Sequence, residues 1–274
     1  MKRLMNLRPS KQSLFFLGLL PFVLIVLLYL GASEVRLAEN PNDKLLPSMS
    51  SFAEAIDRMA FEPSKRTGEY LFVEDTVASL ERLGLGVLIS AVLALLMGIP
   101  LGFIPFVRAG LSPFVAAFSM VPPMAILPIL FIIFGMGELA KVALIVIGVT
   151  PLIVRDLQQR VMEIPAEQLI KAQTLGGSSW TIVLRVVLPQ IFPRLLDAVR
   201  LTMGTAWIFL ISAEAISATE GLGYRIFLVR RYLSMDVILP YVAWITFLAF
   251  LFDYLLKRFT YKVFPWYDAG KEQS

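Results

Sequence analysis

The chain has 274 residues, 57% of them hydrophobic and 17% charged, with a formal net charge of +4 and neither cysteine nor histidine. A soluble domain carries about 45–50% apolar and roughly 25% charged residues, so this composition and the mean hydropathy of +0.74 indicate an integral membrane protein. The two missing residue types exclude disulfides, thiolate and Ser-His nucleophiles, H-E-x-x-H zinc sites and His-ligated haem.

The amino terminus, residues 1–12, is a basic tail with Lys2, Arg3, Arg8 and Lys11 and no acid. A hydrocarbon core about 30 Å thick needs roughly 20 apolar residues in a helix. No charge interrupts the chain between Lys11 and Glu34, Arg82 and Arg108, or Arg108 and Glu138. Shorter uncharged stretches run from Val142 to Val154, Leu201 to Ala213 and Val237 to Phe252. These predict an all-α polytopic bundle with six transmembrane helices, near 13–32, 77–106, 111–134, 138–156, 195–217 and 237–258. The first apolar run exceeds the about 7–15 residues of a signal-peptide core and has no evident cleavage site, which favours a retained anchor.

Between the first two spans, "SMSSFAEAIDRMAF" predicts a short surface helix, with Phe52, Ile56, Met59 and Ala60 on one face and Ser50 or Ser51 as cap. In the second span Gly98 and Gly102 form a small-xxx-small pair that permits close helix approach. Arg82, and Arg200 further on, lie near span ends, where an arginine can snorkel to the head groups. Pro122, Pro123 and Pro128 interrupt the third span. The break either lines a translocation path or is a simple kink repaired by neighbours.

The loop 157–194 is long and mostly uncharged. Pro165 can open a helix, Ala166 to Leu175 continue it, and Gly176 and Gly177 end it. Ser178 or Ser179 can cap a second helix, from Trp180 to about Leu188, stopped by Pro189. Its apolar faces pack either on the protein's own surface or in a cleft on a partner, and Trp180 is accordingly a self-packed side chain or an interface anchor. In the fifth span Glu214 either lines the outer gate or sits hydrated at the membrane interface.

Lys and Arg gather in the amino terminus, the 157–194 loop and the carboxy end, which places these three in the cytoplasm. Arg225, Arg230 and Arg231, on the far side of this topology, run against the rule. The expected organisation is a tail and anchor at 1–33, a periplasmic segment at 34–76, a core at 77–258 containing the loop, and a cytoplasmic tail at 259–274. The bases sit at span ends, where anionic lipid attracts them, and no basic stripe with interleaved aromatics suggests nucleic acid.

The loop resembles the signature of the membrane subunits of binding-protein-dependent ABC importers: E-A-A, three residues, Gly, nine residues, Ile-x-Leu-Pro. The matching positions are Ile170, Lys171 and Ala172, then Gly176, then Val186, Leu188 and Pro189, with the acid and first alanine replaced. Other pieces resemble the nitrate/sulfonate/taurine branch: "LPS" at Leu46–Ser48; Ser79, Leu80, Arg82 and Gly86; "GIPLG" at Gly98–Gly102; "VPPMAILPILFIIFGMGE"; Arg200, Trp207 and Glu214; and Gly221-Leu222-Gly223.

The resemblance implies a type I importer permease in the bacterial inner membrane. A separate ATPase, holding ATP and Mg, would seat on a coupling helix formed by Ala172, Leu175, Gly176, Gly177, Trp180, Leu188 and Pro189. A periplasmic or lipid-anchored binding protein would deliver a small nitrate-, sulfonate- or taurine-like solute to a path shared with a second permease copy. Candidate path residues are Pro122, Pro123, Pro128, Trp207 and Glu214. The chain itself would bind no cofactor or metal and catalyse no reaction, in keeping with its lack of a G-x-x-x-x-G-K-[ST] phosphate loop. The alternatives are a stand-alone secondary carrier, which should show interrupted helices in both halves, and an intramembrane enzyme, for which no paired midspan carboxylates are present.

Overall fold

The computed structural model describes residues 10–41, 43–64 and 68–269. The basic residues Lys2, Arg3 and Arg8, and Lys271 at the other end, lie outside the described residues. No strand occurs among the described residues, and helices α1 (Lys11–Glu39), α2 (Met49–Ala60) and α3 (Leu71–Phe103) come first in the chain.

Helix α1 is capped by the Ser10 hydroxyl, which accepts from the Ser13 amide, and is exposed along almost all of its length. It meets the rest only near its end, where Tyr29 Oη donates to the Pro47 carbonyl at 2.8 Å and Ser33 Oγ to the Leu46 carbonyl at 2.9 Å. In the linker that follows, the Leu45 amide donates to Asp43 and holds its carboxyl below the ordinary range. Ser48 caps α2, rather than Ser50 or Ser51, because its extended backbone brings its oxygen to the Ser51 amide. Ala55 is the residue that α2 buries, with Ile56 and Met59 facing Val237, Pro240 and Tyr241.

The centre is built from α3, α6 (Glu138–Met162) and α9 (Leu188–Ser217). Helices α3 and α6 run parallel in constant register: Gly86 faces Ile145, Gly98 faces Leu157 and Gly102 faces Val161. A Cβ on Gly98 would stand 2.8 Å from Leu157 Cβ, and one on Gly102 would overlap Val161 Cβ. The small pair seen in the sequence is therefore the seam between α3 and α6. Helix α9 runs back against both, with Phe209 seated on Gly148.

The third span is not a straight helix over 111–134. It is α4 (Pro105–Phe118) and α5 (Pro123–Phe134), bent by 93°. The bend falls at Pro122–Pro123: Pro123 has no amide to donate and drives Pro122 out of the helical region, to ψ 115°. Pro128 stays inside α5 and breaks nothing. On α6, Arg155 Nη1 donates to Ser119 Oγ and Gln158 Nε2 to Ser112 Oγ, holding α4 in place.

By length and apolar composition α1, α3 and α11 (Met235–Val263) can each cross a membrane, with a fourth crossing if the bent pair α4–α5 is one broken span. At 1.5 Å per residue α6 and α9 are about 37 and 45 Å long. Each buries one face against the other central helices, and both carry more polar residues than α1, α3 or α11. Helices α7 (Ala166–Thr174), α8 (Ser179–Ile182), α10 (Leu222–Arg230) and α12 (Pro265–Ala269) are short and lie at the bundle ends.

Candidate functional site

At the α7 end of the bundle, the chain turns sharply between α7 and α8. Gly176 has φ +84°, its amide donates to the Gln173 carbonyl, and the Gly177 amide reaches back to the Ala172 carbonyl at 3.0 Å. This is a Schellman cap, and it needs glycine at the left-handed position. A Cβ on Gly177 would lie 2.8 Å from the Ala172 carbonyl oxygen, so that glycine is required for space. Ser178 then caps α8, accepting from the Thr181 amide at 3.2 Å.

The second helix does not stop at Pro189. It passes through a π-turn, Val183–Val187, directly into α9. The Leu188 amide bonds to the Val183 carbonyl, five residues back, and Pro189 follows with no amide to give. Widening the turn absorbs the missing donor without ending the helix.

The loop leaves apolar side chains uncovered: Leu175 is 88% exposed and Trp180 70%, with Ile170 and Leu184 exposed beside them. Ala172 and Leu188 are half-buried, and Pro189 is exposed. Of the two readings of the loop, self-packing accounts for Ile182 and Val187, which are buried, but not for Trp180.

At the opposite end, five helices meet in a cluster of buried charge. Asp75, Ser79 and Arg82 lie on one face of α3, and Glu214 comes from the last turn of α9. Glu214 is 0% exposed and Arg82 4%. Arg82 Nη1 donates to Glu214 Oε1 at 2.9 Å and to the Glu220 carbonyl at 2.9 Å, and its Nε and Nη2 hold Glu138. Ser79 Oγ donates to Glu214 at 2.8 Å and accepts from the Leu222 amide, while the Gly223 amide donates to Glu214 Oε2 at 2.8 Å. Asp75 accepts from the Gly221 amide at 2.8 Å, from Arg225 Nε at 2.7 Å and from Tyr241 Oη at 3.0 Å. Two carboxylates and a hydroxyl thus satisfy the free amides at the start of α10, where the helix dipole also favours negative charge. Gly221, at φ +120°, is the residue that lets the chain approach: a Cβ there would meet the Glu214 carboxyl at 2.6 Å.

This arrangement corrects several expectations. Arg82 does not snorkel, because three acids on other elements hold it inside. Glu214 neither lines an open gate nor sits hydrated; it is a buried structural partner. Arg225 is neutralised by Asp75, which removes part of the charge conflict in that loop. Arg200 is half-buried, with its Nε 2.7 Å from Asp253 of α11. Trp207 is buried in the core at α9, and its indole N–H has no hydrogen-bond partner among the described residues.

Beside Arg82 opens a cleft of about 730 Å³ whose lining includes Glu69, Glu74, Glu81, Glu138 and Glu220. None of Pro122, Pro123, Pro128, Trp207 and Glu214 lines it. Asp75, Arg225 and Tyr241 were not singled out as a site from sequence. The i, i+4, i+7 spacing of Asp75, Ser79 and Arg82 was the one local signal of a polar face. Among the described residues no group of three or more acids is placed to hold a metal ion.

Residues 70–267 match the family described as binding-protein-dependent transport system inner membrane component. The chain is 33% identical over 190 residues to the taurine transport system permease protein TauC of Escherichia coli, covering 69% of each protein. It is 27% identical to the nitrate import permease protein NrtB of Synechococcus elongatus, over 76% of this chain and 75% of that one. A putative aliphatic sulfonates transport permease protein of Bacillus subtilis is also 27% identical, over 70% and 69%. In fold it is similar to a chain of the MetNI methionine ABC transporter, with a TM-score of 0.63 at 21% identity over 73% of this chain and 99% of that one. With the family match spanning most of the chain and the relatives all transport subunits rather than enzymes, this protein belongs to the binding-protein-dependent transport system inner membrane components, the permeases of ABC importers.

Proposed function

We propose that the chain forms the translocation path of an ATP-driven importer for a small sulfonate-, taurine- or nitrate-like solute. A separate ATPase seats on the loop from α7 to α8, a binding protein delivers solute at the Arg82 end, and a second copy completes the path. The observation that supports this best is the glycine-turned loop: a rigid Schellman cap presents Leu175 and Trp180 uncovered at the end of the bundle from which α9 rises without a break. An exposed Trp beside a Leu is a natural interface anchor. The ATPase then pushes on a loop joined to a core helix through the π-turn. The lysine and arginine distribution supports a cytoplasmic position for this loop and the amino terminus. The carboxylates around the outer cleft repel a free anion, which supports delivery from a closed binding protein over capture from bulk solution.

The test is reconstitution with the ATPase and binding protein that co-purify. Uptake should require both, and uptake by the chain alone in liposomes would establish a secondary carrier instead. Gly176→Val puts a β-branched residue at φ +84° and should abolish uptake while the chain still inserts. Trp180→Ala should weaken ATPase binding by at least about 30-fold, from the roughly 2 kcal/mol or more of an anchor residue. Unchanged binding and uptake in both variants would remove the loop from the coupling role.

A further inference from the structure

The carboxy-terminal helix α12 folds back onto the base of α9. Tyr267 Oη donates to Asp197 Oδ2 at 2.7 Å, the Arg194 guanidinium stands 5.1 Å over the Tyr267 ring, and Phe264 packs on Phe192 with ring centres 5.7 Å apart. Asp197 also lies 3.5 Å from Arg200 Nη1, and Arg200 Nε is 2.7 Å from Asp253 on α11. A chain of polar contacts therefore runs from α12 through one turn of α9 to α11. On the other side, Gln190 of α9 donates to Gln168 of α7 at 3.1 Å. A cleft of about 260 Å³, lined by Arg160, Glu163, Arg194, Trp266 and Tyr267 among others, separates α12 from the end of α6.

We infer that α12 is a clasp that makes α9 and α11 move as one body when the α7–α8 loop is displaced, with Tyr267 as the positioning residue that keeps it closed. This rests on the coupling role proposed above for that loop. The contacts fall on the first turns of α9, directly after the π-turn, where a push from the loop arrives. The cleft keeps α12 clear of the end of α6, so at this end the clasp ties α9 to α11 and not to α6. Without the clasp, α9 can yield alone, and the push is spent on local distortion before it reaches α11.

The chain has no cysteine, so a Phe192→Cys, Phe264→Cys pair can be cross-linked cleanly. In membranes containing the permease alone, Tyr267→Phe in this background should slow disulfide formation about tenfold, the effect of losing one hydrogen bond to a charged acceptor. Equal rates overturn the clasp, whatever the protein transports. In the reconstituted importer, Tyr267→Phe should raise the ATP hydrolysed per solute moved about three- to tenfold, and closing the cross-link should return the ratio to its original value. Loss of uptake on cross-linking, recovered on reduction, would show instead that the tail must release during transport and would overturn the proposal. Cross-linking rates that differ as expected, in a protein with no ATP-driven uptake, would keep the clasp and reject the importer reading and, with it, the coupling role.

Discussion

Arg82→Leu is expected to lower the unfolding free energy in detergent by about 3–5 kcal/mol, the range for breaking one side of a buried ion pair. The substitution leaves Glu214 fully enclosed, with Ser79 and the Gly223 amide as its remaining donors. It also strips the Glu220 carbonyl of its donor. Glu138→Gln should cost less than about 1 kcal/mol, because that carboxylate is 59% exposed and its pairing is screened by water. Adding Glu214→Gln to Arg82→Leu should recover part of the loss, since the amide is neutral and still accepts from Ser79. Denaturant unfolding followed by tryptophan fluorescence reads all three. A loss below about 1 kcal/mol for Arg82→Leu, the surface-pair range, would mean that this cluster does not hold the five helices together.

The second large effect is expected at the seam between α3 and α6. Gly102→Ala should destabilise by about 1–3 kcal/mol, the cost of overpacking, because its new Cβ meets Val161 Cβ and the Gln158 carbonyl, neither of which can swing aside. Gly102→Leu should prevent a stable bundle from forming. The control is Gly204→Ala on α9, where nothing lies within 4 Å. Alanine there should be neutral or stabilising by up to about 1 kcal/mol, through its helix propensity. Equal melting temperatures for the two alanine variants would show that α3 and α6 do not pack in this register.

Much of the architecture is readable along the chain because each signal is local. Uncharged runs mark the spans, Gly176-Gly177 and Ser178 mark a helix end and the next start, and Pro122-Pro123 marks a break. The same local reading failed at Pro189, where a helix was expected to stop. A missing amide is compatible with either a terminus or a widened turn, and only the packing of Val187 and Ile191 into the core selects the second.

The charged cluster was out of reach for a different reason. Arg82 near a span end reads as snorkelling, and Glu214 as a gate or interface residue, when each is taken with its own neighbours in the chain. Their contact joins positions 132 residues apart, and Asp75 meets Arg225 at a separation of 150. Composition and periodicity determined that the chain is a helical membrane protein with a glycine-turned loop, since those properties depend on residues within a few turns of each other. The tertiary structure alone decided which glycines form a seam, which charges neutralise one another inside the bundle, and that α12 returns to grip α9, because a helical face carries no record of the distant face that will cover it.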